Sequence, residues 1–276
     1  MDIFVAGGDR RSAFLVRLLR ERGLDARAAG LERSGLAQVP SAPLKAAADA
    51  ETVVLNSPLK CDLAETPFGI GDLLGHLHSG ARLVFCGPQI PPAGLERFDA
   101  RDLTKDEDFL QRNAELTAEG AIYSAMRATE RAIMDCDCLI VGWGRIGRAL
   151  TERLVALGAR ATVASRTDRG MRLAQSRGAQ AVETAKIADA LPGRHIVFST
   201  PPYPVLGKDE LSRADAGTLF IDLASPPYGI DLEAARSLDL RAWREPGLPG
   251  RYCPESAAMV LMSHILALRK GGISRD

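Results

Sequence analysis

Hydrophobic positions along this chain fall into two alternating kinds of run. Short apolar stretches closed by Gly, Pro, Ser or Asn read as buried strands, and stretches with apolar residues three and four apart read as amphipathic helices. Ile3-Phe4-Val5-Ala6 is the first strand signal. It runs into Gly7-Gly8-Asp9-Arg10-Arg11 and then Phe14, Leu15, Leu18 and Leu19 at helical spacing, with Gly23 as the stop. Val53-Val54-Leu55 and Arg82-Leu83-Val84-Phe85 are further strands, closing in turns at Asn56-Ser57-Pro58 and Gly87-Pro88, with a short helix over 72–78 between them. The stretch 88–108 is rich in turn residues and shows no clear period.

A long helical pattern over 113–134 carries Leu116, Ile122, Met126 and Ile133 and leads directly into Leu139-Ile140-Val141. That strand opens a second series: Ala161-Thr162-Val163-Ala164, His195-Ile196-Val197-Phe198, Leu219-Phe220-Ile221 and an edge strand around Leu240 and Ala242. After a turn-rich passage at 246–254 comes a terminal helix, with Pro254 in its first turn and Met259, Val260, Met262, Ile265, Leu266 and Leu268 on its apolar side. Strands alternating with helices in this way define an α/β protein with parallel sheets, here two Rossmann-like domains. The expected division is an α/β domain over 1–128, completed by a returning C-terminal helix over 252–270, and a dinucleotide-binding domain over 129–250.

The second series carries the chemistry. Gly142-Trp143-Gly144-Arg145-Ile146-Gly147 has G-x-G-x-x-G spacing, which alone marks nothing more than a glycine-rich turn. Between a strand and a helix it predicts a dinucleotide site. Gly142 makes the tight turn, Gly144 lets a pyrophosphate approach the backbone, Gly147 lets helix and strand pack closely, and Arg145 and Ile146 open the helix. The N–H groups at the helix start then face the phosphates. A site for NAD usually ends the next strand with a carboxylate for the ribose hydroxyls; here Ser165, Arg166 and Thr167 stand there instead. Guanidinium and hydroxyl groups accommodate a 2′-phosphate that a carboxylate would repel, so NADP is expected, with NAD possible through Asp168. Thr200 and Pro201 follow the third strand and Asp222, Ala224 and Ser225 the fourth. Both groups are expected on the nicotinamide side of the cofactor.

Composition narrows the partners. The 276 residues are 46% hydrophobic and 25% charged, with 35 basic residues balancing 35 acidic ones. This describes an ordinary globular protein and gives no electrostatic reason to bind nucleic acid or a membrane surface. Five irregularly spaced cysteines read as free thiols of a reducing compartment, and the Cys136/Cys138 pair lacks the partners of a metal site. The chain enters its first strand directly, with neither a signal-peptide pattern nor a spanning run, so a cytoplasmic protein is expected. His76 and His78 read as surface residues, His195 falls at the beginning of its strand, and His264 is mid-helix. Arg10 and Arg11 sit where ligands collect in open α/β sheets, although a solvated helix start explains them equally well. Glu119 is a possible acid or base, or a solvated helix carboxylate.

Taken together, the chain resembles the family of A-type dipicolinate synthase subunits of spore-forming bacteria. The resemblance rests on Gly7-Gly8-Asp9-Arg10, on Asn113, Thr117, Glu119 and Gly120, and on the glycine fingerprint. Asp222-Leu223-Ala224-Ser225-Pro226 and Pro246-Gly247-Leu248-Pro249-Gly250 with Pro254 complete it. It covers nearly the whole chain, which departs from a familiar member at Pro227-Tyr228 and Arg251-Tyr252. The resemblance implies a fold similar to hydroxyacid and alanine dehydrogenases. It also implies oxidation of a dihydrodipicolinate-like intermediate of lysine biosynthesis to dipicolinate, in the mother cell of a sporulating bacterium. The implied partner is the separate, flavoprotein-like B-type subunit of dipicolinate synthase. On that basis a small dicarboxylate ring is expected between the domains, held by Arg10, Arg11 and Arg251 with Asn113 and Thr117. Hydride passes to NADP⁺, with Glu119 the first choice of base and Asp9 the second, no metal, and an oligomeric assembly. The alternatives are a hydroxyacid or imine dehydrogenase of the same plan, for which only His264 is a conceivable cleft histidine, and a non-catalytic NADP-binding subunit.

Overall fold

The computed structural model describes residues 1–55, 63–86, 94–269 and 271, so the turns expected at Asn56-Ser57-Pro58 and Gly87-Pro88 lie outside the described residues. The chain forms two compact units, Met1–Asn113 with Pro249–Asp276, and Ala114–Leu248. The division therefore runs within the long helix rather than after it.

In the first unit the elements are β1 (Ile3–Ala6), α1 (Arg10–Glu21), β2 (Ala26–Ala29), β3 (Thr52–Leu55), α2 (Ile70–His76), β4 (Arg82–Phe85) and β5 (Asp99–Asp102); α3 (Glu107–Ala128) begins there. The strands pair in parallel in the order β2-β1-β3-β4-β5. Successive side chains of a strand point to opposite faces. Ile3 and Val5 accordingly enter a core with Leu15, Leu19, Leu261 and Ile265, while Phe4 and Ala6 enter another with Val53, Leu73 and Leu83.

The second unit holds the rest of α3, then β6 (Asp137–Val141), α4 (Arg145–Ala156), β7 (Arg160–Ser165), α5 (Asp168–Ser176), β8 (Gln180–Glu183), α6 (Ile187–Ala190), β9 (Ile196–Ser199), α7 (Lys208–Leu211), β10 (Leu219–Asp222), α8 (Leu232–Ser237) and β11 (Arg241–Arg244). Helices α9 (Leu248–Tyr252) and α10 (Pro254–Arg269) follow, and α10 packs against α1 in the first unit. The second sheet is parallel in the order β11-β10-β9-β6-β7-β8, with Phe220, Val197, Leu139 and Val141 in its core. Numbered within the unit, this is the doubly wound 3-2-1-4-5-6 order, whose direction reverses between β6 and β9. Ligands of open α/β sheets bind at the carboxyl ends of the strands flanking such a reversal.

Two differences from the sequence reading have physical causes. The long helix begins at Glu107, not Asn113, because Asp106 accepts a hydrogen bond from Phe109 N–H at 3.0 Å and Glu107 and Asp108 occupy the first turn. It ends at Ala128, where Thr129 Oγ1 accepts from Arg131 N–H at 3.1 Å and draws the backbone into a turn; Ile133 falls in a separate 3-10 turn. Strands β2, β5 and β8 were not anticipated: Ala-Arg-Ala-Ala, Asp-Ala-Arg-Asp and Gln-Ala-Val-Glu are too small or too polar to show an apolar run. All three are edge strands.

Candidate functional site

The glycine turn between β6 and α4 lies at the reversal point. Gly142 has φ +98°, and a Cβ there would stand 2.5 Å from Thr200 Oγ1 and 3.3 Å from Pro201 Cγ. Thr200 is fixed in turn, its hydroxyl donating to Val141 O at 2.8 Å. A Cβ on Gly147 would strike the Gly142 carbonyl. Gly144 differs from both: it caps α4 with φ −80°, and a Cβ would meet nothing within 4 Å. Two glycines are thus required by packing, and the middle one leaves open space beside a helix N-terminus. Arg145 and Ile146, half-buried, form the first turn of that helix, whose leading N–H groups lack intrahelical acceptors. Trp143 buries an indole N–H that has no acceptor among the described residues. These features fit a dinucleotide pyrophosphate.

At the end of β7, Ser165 is buried; its hydroxyl donates to Thr167 O and accepts from Thr167 N–H, both at 3.3 Å. Thr167 Oγ1 accepts from Gly170 N–H at 3.1 Å and caps α5. Both hydroxyls therefore build the loop. Arg166 stands exposed between them, with its guanidinium carbon 4.9 Å from the centre of the Tyr203 ring. Sequence reasoning passed over Tyr203, although Pro201-Pro202-Tyr203 marks a stiff, aromatic-bearing turn. Asp168 is the first residue of α5, where a carboxylate complements the helix dipole.

Asp222 stands at the end of β10. It is 1% exposed and accepts from Ala224, Gly229 and Ile230 N–H at 3.1, 3.0 and 3.0 Å. Burial pushes its carboxyl above the usual range, and those backbone donors offset only part of the shift. It braces the loop that returns over it, leaving Ala224 half-buried and Ser225 exposed.

In the first unit, Asp9 caps α1 by accepting from Arg11 N–H at 2.9 Å, and the Arg11 guanidinium grips its carboxylate at 2.9, 3.1 and 2.8 Å. Gly250 packs so closely that a Cβ would collide with Asp9 and stand 2.8 Å from Arg11 Nε. The structure thus brings Asp9, Arg11 and Gly250 together, with Arg10 exposed beside them at the first position of α1. Arg251 is exposed and lies over the Tyr252 ring at 5.2 Å. Asn113 is half-buried and Thr117 buried, four residues apart and so on one face of α3.

Glu119 lies in the second unit. It pairs with Arg153 at 3.3 Å, its side chain 60% exposed, in a shallow groove with Ile122, Tyr123, Met126 and Leu157. Arg153 lies nine residues beyond Gly144, which at 1.5 Å per residue is roughly 13 Å along α4 from the phosphate turn. In the structure Glu119 is thus an exposed ion-pair partner of Arg153. His264 is buried on α10, its Nδ1 2.8 Å from Val260 O and its Nε2 3.3 Å from Asp108, edge-on to Phe109. His195 Nδ1 accepts from Asp137 N–H at 2.9 Å at the amino end of the sheet, remote from the ligand edge. No group of three or more His, Cys, Asp or Glu able to hold a metal occurs among the described residues, and no helix there is long and apolar enough to cross a membrane.

Comparison with known proteins bears on both units. The Shikimate / quinate 5-dehydrogenase family model matches residues 124–239. The A-type subunit of dipicolinate synthase from Bacillus subtilis (strain 168) is 30% identical over 168 residues, 60% of this chain and 57% of that protein. The match thus spans little over half the length of the curated relative. The crystal structure of the Bacillus subtilis protein aligns over 98% of this chain and 96% of its own, at 24% identity and a TM-score of 0.80. Its counterpart from Bacillus halodurans aligns over 97% of both chains at 22% identity and a TM-score of 0.84. An L-alanine dehydrogenase shares the fold over 99% of this chain and 91% of its own, at 13% identity and a TM-score of 0.66. This chain is thus similar in sequence, over 60% of its length, to the A-type subunit of dipicolinate synthase from Bacillus subtilis, and it shares the fold of two such subunits over nearly all of its length.

Proposed function

We propose that this chain is an NADP-dependent dehydrogenase subunit that oxidises a dihydrodipicolinate-type ring to dipicolinate. It works with the flavoprotein-like B-type subunit in the cytoplasm of a sporulating mother cell. The observation that carries the cofactor is the glycine turn at the sheet reversal. Gly142 and Gly147 are required by packing, and Gly144 is open to a pyrophosphate. NADP is favoured over NAD because the end of β7 presents the exposed guanidinium of Arg166 where a carboxylate would otherwise hold the ribose. When bound, the nicotinamide supplies a hydride acceptor.

The chain's own residues hold the cofactor and bind the substrate. Gly144 and the first turn of α4 take the pyrophosphate, and Arg166 takes the 2′-phosphate. Arg10 and Arg11, at the start of α1, bind substrate carboxylates, and Asp9 keeps the Arg11 guanidinium oriented. Two cations at a helix N-terminus oppose the dipole by about 0.3–1 kcal/mol each. A dianionic ligand reverses that cost. Asp9 is then a positioning residue, and no strong base is required, because loss of the hydride makes the ring aromatic on deprotonation and water can accept the proton.

The purified chain, with and without its partner protein, is to be mixed with NADP⁺ and dihydrodipicolinate generated in situ, following NADPH absorbance and ultraviolet detection of dipicolinate. Both signals should rise together. Product under neither condition would remove the enzymatic reading, and cofactor binding without turnover would establish a non-catalytic NADP-binding subunit. In Arg10→Ala, KM for the substrate should rise, or turnover vanish, with NADP⁺ binding intact.

A further inference from the structure

Strands β7 and β9 are not neighbours; β6 lies between them. At about 4.8 Å between adjacent strands, their ends stand roughly 9–10 Å apart, with the glycine turn in the gap. Arg166 follows β7 directly and Tyr203 lies four residues beyond β9, yet the guanidinium carbon sits 4.9 Å from the Tyr203 ring centre. The two side chains therefore reach across the carboxyl end of β6. Tyr203 is carried on Pro201-Pro202, and the Pro201 ring packs at the Gly142 turn. Arg166 is anchored from its other side by the loop that Ser165 and Thr167 build.

We infer that Tyr203 is a positioning residue for cofactor choice: its ring pins the Arg166 guanidinium over the glycine turn, in the place where an adenosine 2′-phosphate is recognised. A free arginine side chain has several rotatable bonds, and binding a phosphate would have to freeze them. A cation–π contact with an aromatic face restricts the guanidinium beforehand while leaving the N–H donors at its edge available to a phosphate. Preorganisation of this kind strengthens binding without adding a contact to the ligand. The inference rests on the NADP reading, and it assigns part of the 2′-phosphate preference to a residue that need not touch the phosphate.

The test is calorimetric titration of the full chain with adenosine 2′,5′-bisphosphate and with 5′-AMP, reading the ratio of their Kd values. The wild-type chain should prefer the bisphosphate, and Arg166→Ala should lose that preference. Tyr203→Leu and Tyr203→Ser should each lower the ratio about two- to fivefold, the range of an exposed cation–π contact. Tyr203→Phe, which keeps the ring, should restore it, with thermal melts confirming that all variants are folded. If Arg166→Ala abolishes the preference while Tyr203→Leu and Tyr203→Ser keep the wild-type ratio, the pinning role is wrong and the NADP reading stands. If Tyr203→Phe loses as much as Tyr203→Leu, stacking is not the cause. If the wild-type chain shows no preference, the NADP reading falls and this inference falls with it.

Discussion

Replacing Gly144 by alanine separates cofactor binding from folding. The residue caps α4 with φ −80° and ψ −170°, a region open to any L-residue, and a Cβ there meets nothing within 4 Å. Alanine is a poorer N-cap than glycine, but it also narrows the unfolded ensemble. These opposing effects, each about 0.5–1 kcal/mol, leave the net stability within about 0.5 kcal/mol of wild type. Binding has no such compensation. A methyl group on the open side holds a pyrophosphate away from the α4 N-terminus and stretches its hydrogen bonds past the useful limit of about 3.2 Å. Losing one charge-assisted hydrogen bond of about 1.5–3 kcal/mol weakens NADP⁺ binding roughly ten- to a hundredfold. Calorimetric titration with NADP⁺ and urea unfolding of the same sample measure the two effects side by side. Gly147→Ala is the contrasting control, since its Cβ strikes the Gly142 carbonyl and should damage folding itself. Wild-type NADP⁺ affinity in folded Gly144→Ala would refute the placement of the pyrophosphate.

Three further outcomes are expected. Gly250→Ala forces a methyl group onto Asp9 and Arg11, so it should raise substrate KM several-fold with NADP⁺ affinity unchanged; unchanged steady-state kinetics would disconnect that cluster from the substrate. Phe220 is fully buried in the core of the second sheet, and Phe220→Ala should lower stability by about 3–5 kcal/mol in urea unfolding, whereas a loss under about 1 kcal/mol would contradict its core position. The Arg160 guanidinium, bonded to Asp137 at 2.8 and 2.7 Å, holds that carboxyl below its usual 3.8. Its stabilisation is therefore present above pH 3.8 and disappears as pH falls through the lowered value. Asp137→Asn should flatten the acid limb of the stability–pH curve and cost less than about 1 kcal/mol at pH 7, because Arg160 is largely exposed. An unchanged acid limb would show that the pair is not formed in solution.

Much of the architecture was legible in the chain itself. Central parallel strands are buried on both faces and need unbroken apolar runs, so β1, β3, β4, β6, β7, β9 and β10 stand out. Edge strands have no such requirement, and Ala26–Ala29, Asp99–Asp102 and Gln180–Glu183 carried no readable period. Helix α3 was legible as a helix, but its start was not, because Asp106 is a cap only through its bond to Phe109 N–H.

The site divides along the same line. G-x-G-x-x-G spacing between a strand and a helix determined the turn, because the glycine requirements are local: a positive φ at Gly142 and a contact with its own carbonyl at Gly147. The residue types at the end of β7 were equally plain. Tertiary structure alone decided which polar groups remain available to a ligand, since that depends on partners distant in sequence. Glu119 is drawn into a pair with Arg153 thirty-four residues on, and Asp222 is enclosed by the loop that returns over it at Gly229 and Ile230. Arg166 and Tyr203 meet only because the sheet order sets β7 and β9 on either side of β6.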